Sequence, residues 1–400
     1  MPGEIVTLGA ARSTRYALRD KFRGLADIPI YRVNEAGQIK LLGQLALVRP
    51  DGFVMLQVDG ATDYYQGLPW WLTDMRPQGF LGRAYARQHA TSMGLPPDVR
   101  HWSCTDALRA LLLDGGDDVG NLLLGDLARD RFVNAVTPIM VGSDDFPRLS
   151  TTVLTLGETW SSAGGEQPKF CAYTDRGHVL VKFTVPHDNP IAARWRDLLL
   201  AEHLALETLA ASGVSAAVSR VVDVGTQRFL ELERFDRAGA DGRHALLSLA
   251  SLDGEFVGNA TAPWPVLTSE LARQQAITGQ AHADVALLYA FGTLIGNSDM
   301  HTGNLSFVGD RGRPYALSPA YDMLPMTFSP TTGGLVRDAL PAAHLHPSVD
   351  GAVWRAALAL AQGYLNRLND EVRLSAAFLP CIDALRRHME DATQRIGRLA

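Results

Sequence analysis

Apolar and polar residues alternate through the first third of the chain, whereas helical spacing dominates the last third. IPIYRVNEAGQIKLLGQL reads as two strands around an Asn34-Glu35-Ala36-Gly37 turn, and LLGQLALVRPDGFVMLQV as a hairpin about Asp51-Gly52. Helices are expected from Leu81, over 106–113 and over 120–134. Further on, HVLVKFTV is an apolar strand after the turn Asp175-Arg176-Gly177, and RWRDLLLAEHLALETLAASG is a helix. FLELERFDR is a strand leading into a polar turn. Residues 283–296 are apolar nearly all round, which predicts a buried helix stopped by Gly296. LSFV, GDRGR and PYAL then make strand, turn and strand. In GAVWRAALALAQGYLNRL, Trp354, Leu358, Ala361, Leu365 and Leu368 fall on one stripe, and an amphipathic helix follows from about Pro380. GSDDFPRLS, 142–150, has linker composition, and SLASLDGEFVGNATAPWPVL looks like an irregular insertion.

Near the start, Arg12, Arg15, Arg19 and Arg23 recur at three- and four-residue steps, the spacing of one face of a short basic helix. A basic helix followed by a hairpin is the second half of a winged helix-turn-helix, which predicts DNA contacts through Arg12 and Arg15. The expected organisation is therefore four segments. Residues 1–45 form a partial winged-helix-like element, and 46–150 an N-terminal subdomain. Residues 151–236 form a mixed core with a glycine loop, and 237–400 a mostly helical C-terminal part. The class is α+β.

Composition changes this picture little. Of 400 residues, 46% are hydrophobic and 20% charged, which suits sizeable globular cores. The net charge of −6 argues against indiscriminate nucleic-acid binding by the whole chain. Residues 1–49, however, hold eight basic and four acidic side chains. Three scattered cysteines without a CxxC predict reduced thiols and a cytoplasmic location, with no zinc site. No charged-then-apolar leader opens the sequence, and the apolar run over 285–296 is too short to span a bilayer.

The candidate chemistry lies in two clusters. GNSDMHTGNLSF sets Asp299 five positions before Asn304, with Asn297 and His301 between and around them. That is the spacing of catalytic base and metal ligand in the protein-kinase catalytic loop. Asp322, in SPAYDMLP, follows Asn304 by eighteen residues, across the predicted hairpin. Folding back, it would stand beside the loop as a second magnesium ligand. The other cluster is WSSAGGEQPKFCAY with the strand that follows. Glycines there let backbone amides approach phosphates. Lys182 lies inside an apolar strand, where an unpaired lysine is costly. Glu202 on the next helix is the candidate partner, with Glu207 as the alternative. Backbone groups near Glu233 and Phe235 fall where a hinge would hold adenine.

Taken together, Ser162-Ala-Gly-Gly-Glu-Gln-Pro-Lys169, LERFDR, NSDMHTGN and SPAYDMLP resemble the HipA-like serine/threonine kinases of bacterial toxin–antitoxin modules, over about residues 40–390. The N-terminal piece and HALLSLASLDGEFVGNATAPWP resemble the YjjJ-type branch, in which a DNA-binding element is fused to the kinase-like body. The resemblance implies a two-lobed kinase-like fold that uses ATP and Mg2+. It implies Asp299, with His301 in the same loop, as the catalytic group, and Asn304 and Asp322 as metal ligands. Lys182 would hold the ATP phosphates. Ser162, Gly164, Gly165, Gln167 and Lys169 would form the nucleotide loop, with Ser162 its autophosphorylation site. It further implies a protein substrate, translation components being the family's known targets, and raises DNA and an antitoxin as partners.

Two other functions draw on the same residues. A nucleotide-sensing DNA-binding regulator would use the basic stripe to read an operator. A metal-dependent nuclease would use Asp299, Asn304 and Asp322 to hold two metals, but would leave the glycine loop and Lys182 without a role.

Overall fold

The structure, a computed structural model, describes residues 4–9, 14–115, 117–136, 138–155, 167–331 and 333–399. The chain divides into two compact units, Met1–Pro138 with Asp236–Leu247, and Ile139–Phe235 with Ser248–Ala400. No helix among the described residues is long and apolar enough to cross a membrane.

In the first unit, β1 (Ile5–Leu8) pairs antiparallel with β2 (Arg15–Leu18). A five-stranded antiparallel sheet follows, built from β3 (Ile28–Val33), β4 (Ile39–Val48), β5 (Gly52–Gln57), β6 (Thr62–Tyr65) and β7 (Leu122–Leu124), in the order β6-β5-β4-β3-β7. Helices α1 (Gly79–Met93), α2 (Cys104–Asp114) and α3 (Gly125–Val133) complete the unit. Alternate residues of β3, β4 and β5, namely Ile28, Ile30, Leu45, Leu47, Phe53 and Met55, meet Leu108 and Leu111 of α2 in one core. A capping box between Ser103 and Asp106 starts α2. Trp70 and Trp71 are only half-buried, and Trp71 donates its ring N–H to Tyr65 Oη at 3.1 Å.

The basic helix expected at the N-terminus is replaced, in the described residues, by strand. Arg15 is an exposed residue of β2. Period two wins over the arginine spacing because Val6, Leu8 and Ala17 can be buried together against Val48, Val54 and Leu56. Arg19 pairs with Asp27, and Arg23 lies 4.3 Å over the Phe53 ring while donating to Thr105 Oγ1 and the Gly52 carbonyl. A recognition helix is thus absent among the described residues, and Arg12 lies outside them. The boundary expected at residue 45 falls inside β4, whose two neighbours tie both sides of it into one sheet. Residues 236–247 also join this unit rather than the C-terminal part. Asp236 accepts from the Gly120 N–H, and Arg237 reaches Asp117 and the Asp118 carbonyl.

The second unit opens with α4 (Phe146–Thr155), where a linker was expected. Its polar composition hides a stripe, Phe146, Leu149 and Val153, that packs on Phe170, Phe183 and Phe229 of the adjoining sheet. That sheet contains β8 (Lys169–Thr174), β9 (Gly177–Phe183), β10 (Ser219–Val224) and β11 (Gln227–Glu233), all antiparallel in the order β10-β11-β9-β8. Between β9 and β10 runs α5 (Pro190–Ala211), capped by Asn189 with proline at its start. The helices that follow are α6 (Leu249–Phe256), α7 (Trp264–Arg273), α8 (Gly279–Leu294), α9 (Gly351–Asp370) and α10 (Leu379–Ile396). Helices α6 and α7 occupy the stretch expected to be irregular. Ser248 caps α6 through the Ser251 N–H, and Trp264, Leu267 and Leu271 form the buried stripe of α7. On α9 the buried stripe uses Tyr364 in place of the expected Leu365. The hairpin after residue 305 forms as expected, from Ser306–Val308 and Ala316–Leu317.

One glycine constrains the first sheet. Gly43 in β4 has φ +155°, opposite a register shift between Ile30 and Tyr31, and a Cβ there would stand 2.1 Å from the Leu56 carbonyl oxygen. Gly43→Ala should lower unfolding stability by about 2 kcal/mol or more. Gly67→Ala, where a Cβ meets nothing within 4 Å, should change it by less than about 0.5 kcal/mol. Urea unfolding of the full chain checks both.

Candidate active site

The site begins where α8 ends. Its interior is apolar on every side, with Val285, Leu288, Phe291 and Leu294 buried. The helix stops in a Schellman turn: the Gly296 N–H bonds the Thr293 carbonyl and the Asn297 N–H bonds the Gly292 carbonyl at 2.8 Å. Gly296 has φ +76°, and a side chain there would strike Leu340. The turn delivers Asn297, only 5% exposed, to the head of the polar loop.

Asn297 uses both ends of its amide. Its oxygen accepts the Asp299 N–H at 3.0 Å, and its nitrogen donates to the Asp322 carbonyl at 3.2 Å. One side chain therefore ties the backbone of the predicted base to that of the predicted metal ligand. Asn304 donates its amide N–H to the Asp299 carbonyl at 2.9 Å, which leaves the amide oxygen as the atom to offer a cation. His301 caps the short turn Thr302–Asn304, its Nδ1 accepting the Gly303 N–H at 3.0 Å. The His301 carbonyl is held in turn by the Trp264 indole at 3.1 Å. Asp299 itself is exposed.

Asp322 sits at φ +53°, a left-handed conformation that strains a residue with a side chain. The Tyr321 hydroxyl before it donates to the Gly303 carbonyl at 3.0 Å and meets Ser306 Oγ at 2.7 Å. The Asp322 carboxylate contacts Lys182 Nζ while keeping a quarter of its side chain exposed. Lys182, on β9, also bonds both carboxylate oxygens of Glu202 on α5, at 2.6 and 2.8 Å. Glu202, and not Glu207, is thus the partner.

Burial governs the charges here, and the counter-charges decide the outcome. Burial alone would push the Lys182 ammonium pKa down, but Asp322 and Glu202 outweigh it and hold the pKa above the usual lysine value. For Asp322, burial pushes up, while Lys182, Lys169 and His301 pull down, and the carboxyl ends below its ordinary range. Glu202 goes the other way. It is 1% exposed, and its desolvation exceeds the pull of Lys182. Lys169 contributes because it stands directly opposite Lys182 in the β8–β9 pair, and opposed residues share a sheet face.

The other predicted positions are less uniform. Ser162, Gly164 and Gly165 lie outside the described residues. Gln167 donates to the Phe183 carbonyl, and its buried Oε1 has no hydrogen-bond partner among the described residues. Glu233 turns its carboxylate to Arg176, and its N–H is taken by the Val218 carbonyl. Phe235 instead packs its ring 5.7 Å from that of Tyr321, beside Asp322. Sequence reasoning gave no role to Asn297 or Tyr321. The one available signal was a polar Asn set directly after a helix-ending glycine.

Comparison with known proteins identifies the family and the fold. Residues 161–398 match the family model of a HipA-like C-terminal domain, and residues 25–133 that of a YjjJ-like toxin middle domain. The chain is 39% identical over 405 residues to Toxin YjjJ of Escherichia coli (strain K12), a match covering 99% of this chain and 91% of that protein. A chain of the Shewanella oneidensis MR-1 toxin–antitoxin complex of HipA, HipB and operator DNA superposes with a TM-score of 0.61 at 15% identity. That match covers 93% of this chain and 97% of the other. The Helicobacter pylori proinflammatory kinase CtkA matches at a TM-score of 0.40 and 13% identity, over 58% of this chain and 95% of its own. The mixed α/β architecture, the HipA-like family model and the match to the Shewanella HipA complex give a two-lobed, kinase-like fold.

Lys182→Met would leave Glu202 and Asp322 without their shared cation. At pH 7 the variant should be less stable than the parent by about 3–5 kcal/mol. Without the cation both carboxyl pKa values rise above their unfolded values, so the folded variant takes up protons as pH falls. Its deficit should therefore shrink between pH 7 and pH 5. Denaturant midpoints of both proteins at the two pH values check the sign.

Proposed function

The chain belongs to the family with a HipA-like C-terminal domain, and from that premise we propose that it is an ATP- and Mg2+-dependent serine/threonine protein kinase. One observation carries the reading. A buried lysine on β9 is held by a glutamate on α5 and by Asp322, the residue that Asn297 ties to the Asp299 loop.

In this reading Lys182 and Lys169 hold the α- and β-phosphates from one face of the sheet. Asp299, exposed and fixed through its backbone by Asn297 and Asn304, accepts the proton of the attacking serine or threonine hydroxyl. The new bond joins that oxygen to the γ-phosphorus, the bond to the β,γ-bridging oxygen breaks, and ADP leaves. Asp322 and the Asn304 amide oxygen are hard oxygen donors of the kind magnesium takes, and Asp322 keeps enough exposure to reach one. Magnesium bound there supplies charge neutralisation on the phosphates. Positioning, rather than covalent chemistry by the protein, accounts for the rate.

The loop over residues 162–169 is the nucleotide loop in this proposal, and Ser162 within it is the site of autophosphorylation. Other acceptors are serine or threonine side chains of a protein partner. Escherichia coli YjjJ is described as a toxin, and we extend that role here as part of the same proposal.

Incubation of the full chain with magnesium and γ-labelled ATP should place phosphate on Ser162, read by intact mass and peptide mapping. Asp299→Asn should lower transfer by at least about a hundredfold while ATP affinity stays within a few-fold. Retained transfer in the variant would remove Asp299 from the role of base.

A further inference from the structure

Helix α5, which carries Glu202, also carries a second buried charge eight residues earlier. Arg194 is 4% exposed, yet among the described residues it meets one carboxylate and three carbonyls. Its Nη1 donates to the Phe328 carbonyl at 3.0 Å and the Arg337 carbonyl at 2.7 Å. Its Nη2 donates to Asp338 Oδ1 at 2.8 Å and the Ala377 carbonyl at 3.4 Å. The guanidinium lies 5.4 Å over the Phe378 ring. One turn on, Asp197 accepts both the N–H and the hydroxyl of Ser375, at 2.9 and 2.6 Å.

Phe328 and Arg337 bracket the stretch that follows Asp322, a stretch with no regular helix or strand in its described residues beyond the turn Met326–Phe328. A single planar fork thus closes the two ends of that stretch onto α5. Helix α5 runs unbroken from Pro190 to Ala211, so a contact that places Arg194 bears on Glu202 about two turns away. Asp338, half-exposed, supplies the negative charge that completes the fork.

We propose that Arg194 and Asp338, with the Phe328 and Arg337 carbonyls, form a built-in clamp that positions Glu202 against Lys182. Arg194 is a positioning residue, acting through Glu202. The carboxylate of Asp338 does the work that an added phosphate would do on an arginine, so the site is assembled without modification of that stretch. The inference rests on the kinase reading given above.

A double-mutant cycle tests it. Arg194→Lys should lower phosphate transfer about tenfold, acting on turnover and on the ATP KM together. In a Glu202→Gln background the same change should add less than about twofold. Asp338→Asn should show the same pattern with a smaller loss, and it serves where Arg194→Lys does not fold. Losses that add fully in the Glu202→Gln background would make the clamp a stabilising contact only, and overturn the proposal. If the parent chain transfers no phosphate, the kinase reading fails by itself. The cycle is then read from the calorimetric affinity for magnesium-ATP, where additive losses again overturn the clamp.

Discussion

Everything at the candidate site depends on one buried ammonium. Lys182 lies in an apolar strand, where a lone charge would be costly, and it is tolerated because Glu202 and Asp322 both reach it. Those two carboxylates come from a helix and from a turn far along the chain. Their meeting on one cation joins the sheet, α5 and the Asp322 turn. Desolvation makes the cluster expensive to leave incomplete, so its charges define one arrangement among many compact ones.

The rest of the architecture keeps these groups in register. A Schellman turn ends α8 where Asn297 can bind both the Asp299 N–H and the Asp322 carbonyl. Tyr321 and Trp264 hold the loop from either side through its backbone carbonyls. Asp322 accepts a left-handed backbone conformation, strain of the kind that persists only where the surroundings over-determine it. Arg194 links the same helix as Glu202 to the stretch after Asp322. Each of these contacts uses a backbone group, so side-chain identity matters at the anchors more than along the loop itself.

How much was legible differs by element. The hairpins of the first sheet, α8 with its glycine stop, and the pairing of Lys182 with Glu202 follow from periodicity and from the cost of a buried lysine. The N-terminal arginines misled because helical spacing can occur in a strand whose other face is apolar. Val6, Leu8 and Ala17 decided that segment by being buried together. Helix α4 was missed because Asp, Ser and Pro mask its three-residue apolar stripe, which matters only once the Phe170–Phe183–Phe229 surface is beside it. The excursion over 236–247 could not be assigned from order along the chain, since its partners Gly120, Asp117 and Asp118 are remote in sequence.

The sequence by itself determined which groups are present and in what order: a glycine loop, a strand lysine, a helix glutamate, the Asp299–Asn304 turn and Asp322. Those follow from local chemistry, since spacing, turn residues and the cost of burying charge are readable one segment at a time. Tertiary structure alone decided that Lys182 is shared by two carboxylates, that Asn297 bridges two backbones, and that Glu233 is taken up by Arg176. Such choices rest on distances between segments far apart in the chain. Competition among nearby partners in a low-dielectric interior settles them, and no local pattern records its result.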